Sequence, residues 1–433
     1  MKTNKTISGT IWSIVERFSK MGIQILCTFI IAQFLPPSEF GLVSMMSIFL
    51  AFSTILVDSG FGQALIREQI VSEKDKSSLF WFNILLGIIV YAMFFVIAPY
   101  IAAFYNEPKL CILIRIAFLA IIFQSLIVIQ QALFFKSIKF KIVSKISLLS
   151  VILSGIIGIV VSILRKDVWG LIIQNLSFSI FQCVLFWIYS SWRPTFVCSW
   201  LAIKKYLHFS LNLLGSNILA AITDNLANLV VGKNYNATTL GQYTMANKIP
   251  YLTSGTISYS IHRVSYSLMS KFQDDNKKLQ IYSQRVVGTA FWIIGPIMLI
   301  LFIFANQFIN ILFPKEWITT AVYLRYFCII GFVYCFYDIN QDILLIKGRT
   351  DILFKLDIIR RSILVVIMLI GVRYNIIIFL RLLTIYYILN AFTVSYISGK
   401  LINYSIPKQL FIVMTTPIYY FKKYIIEKQH ENC

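Results

Sequence analysis

The chain is 433 residues long, 58% hydrophobic and 15% aromatic but only 13% charged, with a mean hydropathy of +0.77. Soluble domains carry about 25% charged residues, and apolar runs long enough to cross hydrocarbon recur along the whole chain, so the fold class is all-α, a polytopic membrane protein. The formal charge of +21 does not point to nucleic acid, because the basic residues fall in short clusters between apolar runs, where they act as topology signals and contacts to anionic lipid.

Twelve helices are predicted in chain order, at 10–34, 39–66, 79–104, 109–134, 143–164, 168–191, 206–231, 239–262, 286–313, 318–346, 353–372 and 376–399. Each is long enough for a core of about 30 Å. The first is expected to stay in the protein, since residues 11–35 exceed a signal-peptide core and no small-residue cleavage site follows. After the twelfth, LFIVMTTPIYY at 410–420 is too short to span and contains Pro417, which fits a helix lying in the interface. The seven cysteines form no CxxC and mostly sit in apolar runs, as small core residues do.

Loop charges set the orientation. One side collects Lys2, Lys5 and Arg17, then Lys136, Lys139, Lys141 and Lys145, then Lys271, Lys277, Lys278 and Arg285, then Lys347, Arg349, Arg360 and Arg361; the other has only Lys109, Arg165, Lys166, Lys233, Lys315 and Arg373. The positive-inside rule therefore puts both termini in the cytoplasm.

The two halves resemble each other. PSEFGLVSM at 37–45 and ATTLGQYTM at 237–245 share a Gly and a Ser/Thr-Met after a long first helix, and APYIAAFYNEPKL at 98–110 parallels ANQFINILFPKEW at 305–317, each followed by an arginine, Arg115 and Arg325. This predicts a six-helix lobe at 1–192, a cytoplasmic linker at 193–205, a second six-helix lobe at 206–400 and a cytoplasmic or interfacial tail at 401–433. Parallel repeats of this kind build secondary transporters.

No nucleotide-binding loop of the G-x-x-x-x-G-K-[ST] type is present, and His208, His262 and His430 all fall at or beyond the expected inner surface. No catalytic cluster and no metal site are expected, and the outer loops are too small for a glycan-joining enzyme. The charges inside helices carry the chemistry, because they are costly in lipid and face a bundle interior or a water-filled cavity. The cations are Arg17, Lys20, Arg115, Lys248, Arg325 and Arg381; the acids are Glu16, Asp58, Asp224, Asp338 and Asp342. Glu16 and Lys20 are spaced to pair on one face, and Asp338 and Asp342 can simply approach the basic surface. Lys248 stands out, since Pro250 just after it should kink or break the helix and free backbone groups beside a cation that suits an anionic ligand. In VDSGFGQALI the glycines at 60 and 62 allow a bend or close packing. Asp58 is either a charge-linked group of the transport cycle or, the preferred reading, an acid that holds helix 2 in place.

SGTIWSIVERFSKMGIQIL, FLPPSEFGLVSM, VDSGFGQALI, SSLFWFNILLG, APYIAAFYNEPKL, NLVVGKNYNATTLGQYTMANKIP and LFPKEW resemble, in order and spacing over roughly residues 8–361, the polysaccharide and O-antigen flippases of the WzxC-like branch of the MOP (multidrug, oligosaccharidyl-lipid, polysaccharide) exporter superfamily. The resemblance implies two six-helix lobes of the MATE/MOP kind in a bacterial inner membrane. It implies transport, by alternating access, of an undecaprenyl-pyrophosphate-linked oligosaccharide to the outer face, with membrane lipids and a polysaccharide polymerase or chain-length machinery as partners. Arg17, Lys20 and Lys248, joined by Arg115, Arg325 and Arg381, would then offset the pyrophosphate charge. No cofactor is called for; a proton or a sodium gradient is left for coupling. Three departures concern the coupling residue and the substrate: Ala227 stands where the family has an acid, the nearest being Asp224; Ser267 stands where a proline is expected; and the C-terminus stops short of fourteen helices. The competing readings are a drug or small-molecule antiporter of the same superfamily and a membrane polymerase or ligase of envelope glycans.

Overall fold

A computed structural model describes residues 18–409 and 411; Arg17, Glu16 and the expected interfacial helix of the tail lie outside the described residues, apart from Phe411. All regular structure described is helical. Among the described residues eight helices are long and apolar enough to cross a membrane, nine if one bent pair counts as a span, so the chain is a multi-pass membrane protein. Of the other three predicted spans, the first is described from Phe18, as helix to Ala32, and the eighth and eleventh are helical, the eighth interrupted by a π turn. The chain forms two compact units, Met1–Gly241 and Gln242–Cys433.

In the first unit the helices are α1 (Phe18–Ala32), α2 (Pro37–Asp58), α3 (Phe61–Arg67), α4 (Glu73–Tyr105), α5 (Lys109–Ala117), α6 (Leu119–Ser125), α7 (Val128–Lys136), α8 (Phe140–Arg165), α9 (Trp169–Tyr189) and α10 (Trp200–Asn234). The predicted fourth span is thus three pieces, bent by 42° before α7. No Pro or Gly breaks it. Instead the Ser125 hydroxyl donates to the Ile122 carbonyl at 2.7 Å, a back-bond that bends helices, and Gly87 on α4 makes room for it: a Cβ there would lie 2.7 Å from Ser125 Cβ. α8 and α9 pack tightly where Gly158 makes room for Gln174 and Gly170 for Ser162, while Gly155 makes room for Cys27 on α1; small residues are the usual device for close helix approach in lipid. α10, the first helix of the second repeat by sequence, packs on α2, α3 and α4. Asn228 donates to the Ser47 hydroxyl at 3.3 Å, an interhelical bond within the apolar span.

The segment before α10 is stitched to the start of α4. Ser77 and Ser78, both fully buried, accept the backbone N–H groups of Thr195 and Ser199 at 3.0 and 2.9 Å; the indoles of Trp81 and Trp192 donate to the Thr195 carbonyl and to Glu73. Phe196 stacks on Trp81. These bonds replace the backbone partners a loop would otherwise take from water.

In the second unit, α11 (Ala237–Pro250), which starts in the first, runs through a π-helical turn at Tyr251–Gly255 into α12 (Thr256–Met269). Then follow α13 (Asn276–Ile303), α14 (Ala305–Leu312), α15 (Ile318–Ile346), α16 (Thr350–Gly371) and α17 (Ile376–Leu401), with α15 packed between α13 and α17. Buried Asn340 bonds Ser398 at 2.7 Å and Gln409 at 3.2 Å, pinning the chain beyond α17 to α15.

The repeat signature meets itself in the first unit. A Cβ added to Gly41 would strike the Ala237 carbonyl, and one added to Gly241 would strike the Pro37 carbonyl. Pro37 corresponds to Ala237 and Gly41 to Gly241 in the aligned blocks, so the contact is reciprocal, and each repeat supplies the glycine that the other's backbone requires. An exposed helical Gly→Ala change normally stabilises by about 1 kcal/mol; here the obstacle is backbone, which no rotamer relieves, and overpacking costs about 1–3 kcal/mol or more. Gly41→Ala and Gly241→Ala are each expected to lower the thermal unfolding midpoint of the detergent-purified protein; a raised midpoint in either would mean that the backbones do not meet.

Candidate functional site

The intramembrane cations divide by what they touch. Arg115 donates from Nε to the Phe95 carbonyl at 3.4 Å and lies 4.3 Å from the Phe95 ring centroid. Phe95 is four residues before Pro99 inside α4, so its carbonyl has lost the N–H that an α-helix would supply. Arg325 donates from Nε to the Phe302 carbonyl, also at 3.4 Å, in the last turn of α13, where carbonyls are left over. Phe95 and Phe302 each lie three residues before the paired blocks, in the same register. Both arginines serve carbonyls freed by a helix irregularity, and the two sites are repeat-related.

Lys20 sits with its ammonium 5.1 Å from the Phe178 ring centroid on α9. Arg381 donates to the Tyr326 hydroxyl at 3.3 Å, next in sequence to Arg325. Asp224 is exposed on α10. The structure therefore brings Arg381 beside the Arg325 position and leaves Arg115, Lys20 and Asp224 at separate places in the first unit.

The DSG sequence does break the helix. α2 ends at Asp58, Ser59 and Gly60 take positive φ of 44° and 71°, and α3 restarts at Phe61. Gly60 supplies the left-handed residue without strain. The preferred reading of Asp58 as an acid that holds helix 2 in place finds no bond to rest on: the Ser59 hydroxyl binds the Leu56 carbonyl, whereas Asp58 is exposed and has no hydrogen bond or ion pair among the described residues.

In the second unit Lys248 is exposed two residues before Pro250, and the predicted disturbance is the π turn. Thr253 and Ser254 hydroxyls donate to the Pro250 carbonyl at 2.9 and 2.8 Å, and Gly331 on α15 leaves room for Ser254 and Pro250. Serine and threonine commonly re-satisfy a broken helix in a membrane, and π turns are frequent at functional sites.

Two turns beyond, His262 Nδ1 lies 2.7 Å from Asp342 Oδ2. The carboxylate is 1% exposed and the imidazole 40%. Asp338 is one turn away on α15, beside the Tyr334 hydroxyl. On α16, Arg360 pairs with Asp357, sits 4.7 Å from the Tyr337 ring centroid and keeps two buried N–H groups without protein partners. This acid, base and aromatic group was not read as a site from the sequence: His262 and the two aspartates were placed near the inner surface and Arg360 among loop charges. The i, i+3 spacing of Asp357 and Arg360 was the available signal. No cluster of three or more His, Cys, Asp or Glu suited to a metal occurs among the described residues.

Such an arrangement can bind an anion at exposed Lys248 and holds a buried carboxylate against an imidazole. The fold is that of MOP-superfamily transporters. It aligns with the lipid II flippase MurJ in an inward closed conformation at a TM-score of 0.73 and 16% identity, covering 97% of this chain and 93% of that one. It also aligns with an inward-facing multidrug resistance MATE family transporter of the MOP superfamily at 0.68 and 14%, covering 88% and 94%. By sequence, the chain belongs to the polysaccharide biosynthesis protein family, whose model matches residues 30–322. It is 25% identical over 378 residues to the lipopolysaccharide biosynthesis protein WzxC of Escherichia coli K12, covering 85% of this chain and 75% of the relative. It is 26% identical over 364 residues to the teichuronic acid biosynthesis protein TuaB of Bacillus subtilis 168, covering 82% and 74%.

Arg115→Ala is expected to destabilise by about 1 kcal/mol, the usual net worth of one hydrogen bond, and the loss should shrink in a Pro99→Ala background, where residue 99 regains an N–H. Equal losses in both backgrounds would detach Arg115 from that carbonyl. His262→Ala should likewise cost more than the His262→Ala, Asp342→Asn pair, because it alone leaves a buried carboxylate unpaired; a thermal-melt double-mutant cycle reads the difference.

Proposed function

We propose that this chain is a transporter that flips undecaprenyl-pyrophosphate-linked oligosaccharide repeat units from the inner to the outer face of a bacterial plasma membrane by alternating access, for assembly of O-antigen, capsule or exopolysaccharide. The observation that carries the reading is the family match over residues 30–322 on a fold shared, over 97% of the chain, with a lipid II flippase. The chain moves its substrate and makes or breaks no bond in it. Both termini are cytoplasmic, the lobes divide at 193–205 as the repeats do, and the polymerase and chain-length machinery receive the product.

Within this reading Lys248 is the cation that meets the pyrophosphate, helped by Arg17 and Lys20, whereas Arg115 and Arg325 hold helices together. Asp58 and Asp224 remain coupling candidates, joined by the His262–Asp342 pair. The multidrug transporter of like fold favours drug antiport as a second reading.

The test is to deplete the protein and quantify lipid-linked glycan on each membrane face, with a glycan-directed reagent applied to spheroplasts and to inverted vesicles. Complete repeat units should accumulate on the cytoplasmic face. Units that reach the outer face but are never joined would indicate an enzyme, and unchanged glycan with altered drug tolerance would indicate antiport. Complementation with Lys248→Ala should slow translocation about tenfold, the worth of one charge-assisted hydrogen bond, with the protein still in the membrane; full activity would remove Lys248 from the substrate path.

A further inference from the structure

At the basic end of the first unit a polar cleft of about 540 Å3 opens beside the end of α3 and the start of α10. Arg67, Gln69 and Lys205 contribute donors to its wall and Glu68 is the one carboxylate lining it; behind the wall the Tyr206 hydroxyl donates to Asp75 at 3.2 Å, and Asp75 lies 4.0 Å from Lys205. The two cations are engaged differently. Lys205 Nζ lies 2.8 Å from the Glu68 carboxylate and 3.4 Å from the Tyr206 hydroxyl, and the bond to Glu68 holds its ammonium above the ordinary lysine range. Arg67 lies with its guanidinium carbon 5.0 Å from the Phe209 ring centroid, and among the described residues it has no hydrogen-bond acceptor. Stacking occupies the face of a guanidinium and leaves its N–H edge, the part that recognises phosphate in a fork.

Two further features fit a phosphate rather than any other anion in water. Lys136 bonds the carbonyls of Leu65 and Glu68, at 3.3 and 2.5 Å, which offsets the negative end of α3 that would otherwise oppose an anion there. The neighbouring surface is apolar and uncovered: Ile70 is 84% exposed, Trp200 61% and Leu201 79%. Aromatic and aliphatic side chains next to lysines mark the headgroup level of a bilayer, so what enters this cleft carries both a phosphate and a hydrocarbon chain.

We propose that the cleft binds the phosphate group of an anionic membrane lipid, with Arg67 and Lys205 as its ligands and Ile70, Trp200 and Leu201 against its chains. The site does not depend on which substrate is transported.

The test is native mass spectrometry of the full-length protein, titrated separately with dioleoyl phosphatidylglycerol, dioleoyl phosphatidylcholine and undecaprenyl diphosphate. Arg67→Gln, Lys205→Gln should lower retention of an anionic lipid about tenfold relative to the unmodified protein and leave phosphatidylcholine unchanged. Lys139→Gln, Lys141→Gln removes the same charge from the same basic side and should change retention by less than about twofold. Loss of phosphatidylglycerol identifies the ligand as a phospholipid, and loss confined to undecaprenyl diphosphate identifies it as an isoprenoid diphosphate. Arg67→Gln alone, and Arg67→Lys, which keeps the charge without the fork, serve if the double variant melts below the unmodified protein. Anionic-lipid retention equal to the unmodified protein in the Arg67→Gln, Lys205→Gln variant, or an equal fall in the Lys139→Gln, Lys141→Gln control, overturns the proposal.

Discussion

Helices in a bilayer gain little from hiding apolar side chains from one another, because the lipid is as apolar as they are. What holds them is close approach, and the reciprocal glycine contact is where this chain depends on it most. Gly41 and Gly241 each accept the other repeat's backbone in the volume a side chain would fill. A contact of this kind cannot drift, since moving one strand of the pair opens a gap on both. The same logic runs along α8 and α9, where Gly158 makes room for Gln174 and Gly170 for Ser162.

The second constraint is that every backbone polar group in hydrocarbon must be satisfied within the protein. The chain introduces irregularities at Pro99, at the end of α13, at Ser59–Gly60 and at Pro250, and answers each with a side chain or a left-handed residue. Arg115 and Arg325 belong to these answers. A cation within a span is thus not by itself a substrate ligand; what matters is whether its donors are already used by the helix next to it.

The spans, the repeat and the break after Asp58 were legible because each rests on a local property: apolar length, a glycine at a fixed place in two similar blocks, and a Ser-Gly pair. The helicity of α11 and its disturbance at Pro250 were legible for the same reason. The pairing of His262 with Asp342 was not, because the two are eighty residues apart and each looked like an inner-surface residue. Arg360 was hidden by its place in a run of loop-type charges, and the docked 190–199 segment by serines, Ser77 and Ser78, that have no recognisable pattern. The bend of the fourth span before α7 followed from one serine hydroxyl and a glycine on another helix. In each case the deciding partner is remote in sequence.

The π turn at Tyr251–Gly255 also sets an angular phase. A π turn closes on one more residue than an α turn, so everything beyond Gly255 is displaced around the helix axis by about 100° from where an unbroken helix would put it. His262 meets Asp342 from that rotated face. A chain one residue shorter between Tyr251 and Gly255 would keep its composition and nearly its length, yet turn the imidazole aside and leave the carboxylate without its partner. In this helix, residue count is read as rotation, and an indel that would be silent in a loop acts as a change of face.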